Sequence, residues 1–356
     1  MASGKQAAGE RYLVTGGAGF IGSSFVRALR RRHPRASVTV LDKLTYAGNP
    51  ANLSEFEGTP GYAFVRGDIC DAAVVERLFA GGFDWVLNFA AETHVDRSIG
   101  DPGQFVMTDM YGVYTLLEAA RRHPVRRFVQ ISTDEVYGEV LGDPAGEEAP
   151  LLPRNPYAAS KAGGDRLAYS YFATYGLPVV ITRCCNNYGP YQYPEKLIPL
   201  FATNAIAGER LPVYGSGRNR RDWIHVDDHC SALLALLEAP GVEGQVFNVG
   251  ADNEKDVLEI AALVLGALEK PATLVAHVVD RPGHDRRYAV DWGRLREATG
   301  WRPAVPFEEG IRATVRWYQE HEDWWRPLKS GEFLEFYKRN YKFLDARPEP
   351  GEGPAT

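Results

Sequence analysis

From Arg11 to about Val180 the chain alternates short apolar runs with longer amphipathic stretches. The runs occupy residues 12–15, 37–41, 62–66, 85–89, 128–132 and 178–182. Most are continuously apolar rather than alternating, the pattern of strands covered by helices on both faces. The intervening stretches 21–31, 107–122 and 157–175 carry apolar residues at helical spacing. Strands alternating with helices predict an α/β fold, a Rossmann-type doubly wound parallel sheet. No fixed-period repeat is present.

The pattern changes after about Asn187. Proline, glycine and aromatic residues crowd positions 188–194, followed by a helix candidate at 256–267 and a loop at 280–284. These features predict a smaller C-terminal substrate-binding lobe. The sheet domain is expected over 10–188 with a returning segment at about 222–250, and the lobe over 189–221 and 251–345. Residues 1–9 and 347–356 are small, polar or Pro/Gly-rich and read as loose tails.

Composition narrows the function. A chain of 356 residues with net charge −6 has no general basic face for nucleic acid. Cys70, Cys184, Cys185 and Cys230 show neither metal-ligand spacing nor a disulfide framework, so no metal is expected and the thiols read as reduced. No apolar run reaches about 18 residues, and no signal-peptide core is present. A soluble, cytoplasmic protein without a membrane or nucleic-acid partner is expected.

Two sets of residues carry chemistry. The first apolar run leads directly into Gly16-Gly-Ala-Gly19-Phe-Ile-Gly22 and then a helix. Glycines there let backbone amides approach a pyrophosphate, and the helix N-terminus supplies unpaired N–H groups. Asp42 follows 20 residues after Gly22, at the end of the second run. A carboxylate in that place bonds a ribose hydroxyl and repels a 2′-phosphate, which favours NAD over NADP. Asp68 stands after the third run, where it either approaches the adenine or caps the next helix. The second set begins with Tyr157 and Lys161, four apart and on one helical face. An ammonium beside a phenol favours the phenolate and makes it a usable base. Ser132-Thr-Asp-Glu-Val-Tyr-Gly138 directly follows the fifth run, at a carboxyl end of the sheet where ligands bind. Thr133 offers a hydroxyl to a substrate oxygen. Asp134 and Glu135 can face one substrate only if the chain turns after the strand. Two acids in one site separate their pKa values, leaving one protonated and the other a base.

These motifs resemble the dTDP-glucose 4,6-dehydratase family of extended short-chain dehydrogenases/reductases. The similarity runs over residues 12–301. It includes Asp42-Lys-Leu-Thr-Tyr-Ala-Gly48, Ala90-Ala-Glu-Thr-His-Val-Asp-Arg-Ser98, Thr133-Asp-Glu-Val-Tyr-Gly138 and Asn186-Asn-Tyr-Gly-Pro-Tyr-Gln-Tyr-Pro-Glu-Lys196. Arg221-Asp-Trp223 and Asp280-Arg-Pro-Gly-His284 complete it. The resemblance implies that Tyr157 deprotonates a C4 hydroxyl as hydride passes to NAD. Glu135 then removes the C5 proton, and Asp134 protonates the departing C6 hydroxyl. Around NAD it implies Gly16, Gly19, Phe20, Ile21, Gly22, Asp42, Lys43, Leu44 and Thr45. Asp68, Ile69, Ala90, Ala91, Thr93, Thr108, Tyr157, Lys161 and Asn187 complete that set. Around the sugar nucleotide it implies Thr93, Thr133, Asn186, Lys196, Leu197, Pro212, Val213, Tyr214 and Arg221. Asp280, Arg281, Pro282, Gly283 and His284 join them, the cations Lys196, Arg221 and Arg281 suiting a diphosphate. It further implies a homodimer, with stretches 107–122 and 157–175 pairing across a two-fold axis.

Three positions depart from the family pattern: Asp109 replaces the usual Asn, Val257 stands where an Asn usually follows Asn253-Glu254, and Thr93 replaces a serine. Other readings remain open here: a dehydratase of another nucleotide sugar such as UDP-glucose, a 4-epimerase or decarboxylase, or a non-catalytic NAD-binding protein.

Overall fold

The computed structural model describes residues 9–341. The expected tails, apart from Gly9, lie outside the described residues. The elements run β1 (Arg11–Thr15), α1 (Phe20–Arg32), β2 (Ser37–Asp42), β3 (Tyr62–Arg66), α2 (Ala72–Ala80), β4 (Trp85–Asn88), α3 (Val95–Gly100) and α4 (Pro102–Val106). After a wide, π-helical turn at Met107–Gly112 come α5 (Val113–Arg122), β5 (Arg127–Thr133), α6 (Pro156–Tyr175), β6 (Val179–Cys184) and β7 (Asn186–Tyr188). Next are α7 (Leu197–Ala207), β8 (Leu211–Tyr214), β9 (Arg220–His225), α8 (Val226–Glu238), β10 (Val246–Val249), β11 (Glu254–Asp256), α9 (Val257–Ala267) and β12 (Val275–Val278). Among the described residues no helix is long and apolar enough to cross a membrane.

The chain divides into two units. The first takes in the chain to Gln192 with Arg221–Glu254 and Asp285–Phe307. Its seven strands pair in the order β10-β6-β5-β4-β1-β2-β3, all parallel. Alternate strand residues feed two cores. Leu13, Phe128 and Ile181 pack with Phe79 of α2, Leu116 of α5 and Tyr171 of α6. Val14, Val40 and Val129 pack with Phe25 and Leu29 of α1 and Leu233 of α8. Each such side chain contributes about 1.5–3 kcal/mol by leaving water. With both faces covered, the strands need no polar side, which is why they read as continuous apolar runs.

The segment Asp285–Phe307, which the sequence reading puts in the lobe, belongs to this first unit. Its backbone bonds to the loop before α6, Ala145 N donating to Ala289 O and Asp291 N to Ala145 O. Trp292, Leu295 and Trp301 bury themselves with Phe247 and Val249 of β10.

The second unit comprises Tyr193–Arg220, Lys255–His284 and the chain from Glu308. It contains a parallel β8–β12 pair and α9. Asp256 caps α9 reciprocally with Glu259, which fixes the start of the helix candidate seen in the sequence.

The stretch 107–122 is not one regular helix. Its first part is the π-helical turn, and that turn carries Asp109 inward to 2% exposure. The carboxylate accepts from Ser160 Oγ at 2.8 Å and from Glu92 N at 3.2 Å. Gly164 of α6 permits the approach, since a Cβ there would stand 2.2 Å from the Asp109 carbonyl oxygen. Burial pushes the Asp109 carboxyl up to about 7, against the pull of Lys161, Ser160 and the Glu92 N–H. A raised folded-state value favours the protonated form, so this group's stabilisation is complete below about pH 4 and is lost as pH rises through about 7. Asp109→Asn removes that loss. Its melting temperature relative to wild type should therefore climb by several degrees between pH 4 and pH 8, reflecting up to about 4 kcal/mol. Melting curves at the two pH values check this, and an equal or falling difference would contradict it.

Candidate active site

The glycine turn joins β1 to α1. A Cβ on Gly22 would lie 2.3 Å from the carbonyl oxygen of Gly16, so only glycine lets the helix start so close to the strand. No side chain caps α1, and its first turn, opened by Phe20 and Ile21 after Gly19, contains no acid. An uncapped N-terminus beside such a turn suits a pyrophosphate. Asp42 ends β2 with its carboxylate accepting from Ala18 N at 2.9 Å and Leu44 N at 2.8 Å. Burial pushes this carboxyl upward against those two bonds. Leu44 adopts φ 59°, and the turn closes through Gly48 N donating to Thr45 O. The arrangement fits a dinucleotide held at the ends of β1 and β2.

Asp68 does not cap α2. Asp71 does, accepting from Ala73 N and Val74 N. Asp68 instead pairs with Lys43 at 2.7 Å and accepts from Cys70 N at 2.8 Å. Burial alone would raise its carboxyl, but these partners hold it below the ordinary value. Ile69 is buried in the core, and its carbonyl accepts from Thr115. Ala90, Ala91 and Thr93 follow β4. Thr108 lies on the π-helical turn. Asn187 on β7 is engaged internally, with Oδ1 2.9 Å from His229 Nδ1 and Nδ2 donating to Cys185 O at 3.0 Å.

The second cluster forms where β5 ends. Thr133 closes the strand, and residues 134–137 make a short 3-10 turn that Thr133 caps through Glu135 N at 3.3 Å. The chain thus turns at the acidic pair, as a shared site requires. Asp134 is buried, with Oδ1 accepting from Thr133 Oγ1 at 3.2 Å. Among the described residues its Oδ2 has no hydrogen-bond partner, and neither does the buried Oδ1 of Asn186. Burial, and then the neighbouring Glu135, hold the Asp134 carboxyl well above the carboxylate range. It is therefore the protonated acid of the pair. Glu135 Oε2 is reached by Asn155 Nδ2 at 3.4 Å and Tyr288 Oη at 3.5 Å.

Tyr157 and Lys161 stand on one face of α6, both nearly buried. Asn155 starts the helix by accepting from Ala158 N, with Pro156 at the first position. Lys161 Nζ donates to Ile131 O at 2.7 Å. Burial raises the Tyr157 phenol well above its ordinary value, helped by Glu135 and Asp109 and opposed by a bond with Thr133. The lowering expected from Lys161 is not seen: desolvation and two carboxylates act against the phenolate, and the ammonium is bonded to the Ile131 carbonyl. Arg221 lies over the Tyr288 ring at 4.2 Å and donates to Asp285 O at 2.9 Å.

Within the second unit, Lys196 and Leu197 begin α7. Pro212, Val213 and Tyr214 lie on β8 against β12. Tyr214 packs edge-on to His284 at 6.1 Å, and His284 Nδ1 pairs with Asp280 at 2.7 Å across a loop holding Arg281, Pro282 and Gly283. Three residues with a place in the first unit's site drew no assignment from the sequence. Asn155 was legible, since Asn-Pro is a helix-start signal. Tyr288 and Asp285 carry no local signal.

The family model described as GDP-mannose 4,6 dehydratase matches residues 13–314. A dTDP-glucose 4,6-dehydratase of Streptomyces niveus is 54% identical over 324 residues, covering 90% of this chain and 96% of that protein. One from an Actinoplanes strain is 50% identical over 320 residues, covering 88% and 99%. The solved structure of the Streptomyces venezuelae dTDP-glucose 4,6-dehydratase DesIV, with NAD and dTDP bound, superposes with a TM-score of 0.87 at 50% identity. It covers 90% of this chain and 100% of its own. A buried acid pair on a strand-end turn, a tyrosine–lysine helix beside it and these likenesses over nearly the whole length lead to one conclusion: the chain belongs to the dTDP-glucose 4,6-dehydratase family.

Proposed function

We propose that the protein converts dTDP-glucose to dTDP-4-keto-6-deoxyglucose and water, using NAD that stays on the enzyme. The observation that carries this reading is the Asp134–Glu135 pair, set on a turn beside Tyr157 with one acid held protonated by burial. An epimerase or decarboxylase needs no such acid–base couple.

NAD, when bound, accepts hydride from the sugar C4, returns it at C6 and brings a positive charge in its oxidised form. The glycine turn, the α1 N-terminus and Asp42 are its binding groups. Tyr157 takes the C4 hydroxyl proton, with Lys161 and Thr133 holding the phenol and the substrate oxygen in place. Its raised value means that the proton moves only when positive charge offsets the nearby carboxylates. The resulting 4-ketone acidifies the C5 hydrogen, which Glu135 removes. Asp134 gives its proton to the leaving C6 hydroxyl. Thr133 ties the two halves together, bonding to Asp134 on one side and to Tyr157 on the other. A second reading, a dehydratase of another nucleotide sugar, draws on Val257, which opens α9 with a side chain that cannot hydrogen-bond.

The face of α4, the π-helical turn, α5 and α6 supports a homodimer. Val106, Met107, Met110, Tyr111 and Tyr114 are exposed there, as are Tyr169 and Tyr175. An apolar, aromatic patch of this kind on helices covers itself best against a second copy.

Four outcomes are expected. Offered dTDP-, UDP-, GDP- and CDP-glucose, the protein should yield a product lighter by one water from dTDP-glucose; no water loss from any of them would refute a dehydratase. Cofactor released by denaturation should be NAD(H), and mainly NADP(H) would contradict the role of Asp42. Light scattering at micromolar concentration should give twice the chain mass, and a monomer mass would count against the pairing. In single turnovers Tyr157→Phe should abolish NADH formation. Asp134→Asn and Glu135→Gln should still form NADH but lose water roughly 10²–10⁴-fold more slowly. Equal loss of NADH in all three variants would overturn this division of roles.

A further inference from the structure

Tyr288 is 2% exposed and has no part in the steps above, yet its hydroxyl faces two carboxylates. On one side stands Glu135 Oε2 at 3.5 Å. On the other, the hydroxyl donates to Asp285 Oδ2 in a short hydrogen bond. Asp285 is itself buried, and its other oxygen lies 2.8 Å from Nη1 of Arg154. The Arg154 side chain is 47% exposed and also reaches Glu139 at 3.3 Å. Hydrogen bonds thus link Glu135, Tyr288 and Asp285, and an ion pair extends the line to the solvent-facing guanidinium of Arg154. Arg221 holds the middle of the line, stacked over the Tyr288 ring and donating to the Asp285 carbonyl.

We propose that Tyr288 and Asp285 relay the proton of Glu135, exchanging the hydrogen taken from C5 with solvent. The inference rests on the reading of Glu135 as the C5 base. When the C5–H bond breaks, its electron pair forms the C5–C6 double bond as the C6–O bond breaks, and the proton goes to Glu135. Glu135 then passes that proton to the Tyr288 oxygen while the phenol passes its own to Asp285 Oδ2. Glu135 regains its negative charge, Asp285 becomes neutral, and the phenol stays neutral throughout. The reverse transfer returns a proton to Glu135, which delivers it to C5 as hydride arrives at C6. Arg154 cannot give up a proton, so it serves as the counter-charge at the outer end, and water reaches the buried Asp285 carboxyl as the half-exposed Arg154 side chain swings away from it. Burial and the charge of Glu135 push the Tyr288 phenol far above its ordinary value, which suits a group that hands a proton on without standing as a phenolate. Asn155 also bonds Glu135 Oε2 but lacks a second acidic partner in this line.

The test is the isotope at C5 of the product formed in D2O by the holoenzyme. Wild type should place solvent deuterium at C5. Tyr288→Phe removes only the hydroxyl and should leave the substrate's own hydrogen at C5, with exchange lowered about tenfold or more. Asp285→Asn, which keeps the phenol but removes its acceptor, should do the same and carries the test should the first variant fold poorly. NADH formation at C4 does not pass through Glu135 and serves as the internal reference. A packing defect would slow turnover without changing which isotope is found at C5. Full deuterium at C5 in both variants would overturn the relay, and so would a wild-type product that retains the substrate hydrogen. Glu135→Gln is run in parallel: if it still eliminates water and exchanges C5 at the normal rate, the base assignment fails, which is a different result from failure of the relay.

Discussion

The buried ion pair between Asp165 and Arg183 is the constraint on which the site geometry depends. Asp165 lies on α6, one turn beyond Lys161 and two beyond Tyr157, and is fully buried. Arg183 on β6 meets it at 2.8 Å and 3.1 Å. The same guanidinium donates to Tyr137 Oη at 2.8 Å and to Glu147 O at 3.1 Å. Tyr137 closes the turn that holds Asp134 and Glu135, and its hydroxyl donates to Asn248 of β10 at 2.7 Å. One charge pair therefore ties the tyrosine–lysine helix, the acidic turn and two strands together. Removing Asp165 would leave the buried Arg183 charge without its carboxylate, at a cost of about 3–5 kcal/mol, whereas without Arg183 the carboxylate would keep only the half-exposed Arg166. An apolar pair could fill the same space, but it would not orient Tyr137.

Around this frame the site uses burial to choose where protons sit. Asp134 is kept protonated by desolvation and by the charge next to it. Tyr157 is held against ionisation by the same two causes. Asp109 sits against Ser160 of α6, close to Lys161, and its carboxyl is raised by burial as well. The result is an acid ready to give a proton and a phenol that yields one only when charge arrives. Both properties come from burial and neighbouring charge, and both would weaken if water reached the strand ends.

Much of this was legible in the sequence, for physical reasons. Six strands announced themselves as continuous apolar runs because helices cover both sheet faces. The glycine turn and Asp42 were legible because a backbone approaching a helix start leaves no room for side chains. The Asp134–Glu135 turn followed from its place after a strand. The π-helical turn was not legible, since the residues from 107 to 122 keep helical spacing while the backbone widens by one residue. Asp165 reads as an ordinary polar position on α6, and nothing local says that Arg183 will meet it. Tyr288 and Asp285 stand about 150 residues from Glu135 in the chain, and their segment reads as part of the second unit. Asp68 reads as either an adenine contact or a helix cap, and in the structure Asp71 caps α2 while Lys43 pairs with Asp68.

The central claim is that hydride leaves C4 and returns to C6 of the same sugar after water is lost between C5 and C6. The most direct measurement follows dTDP-glucose carrying deuterium at C4. The account predicts that the label is recovered at C6 of the product, within the molecule that brought it and without loss to solvent. Label found again at C4, as a 4-epimerase would leave it, or released to water, would contradict the account.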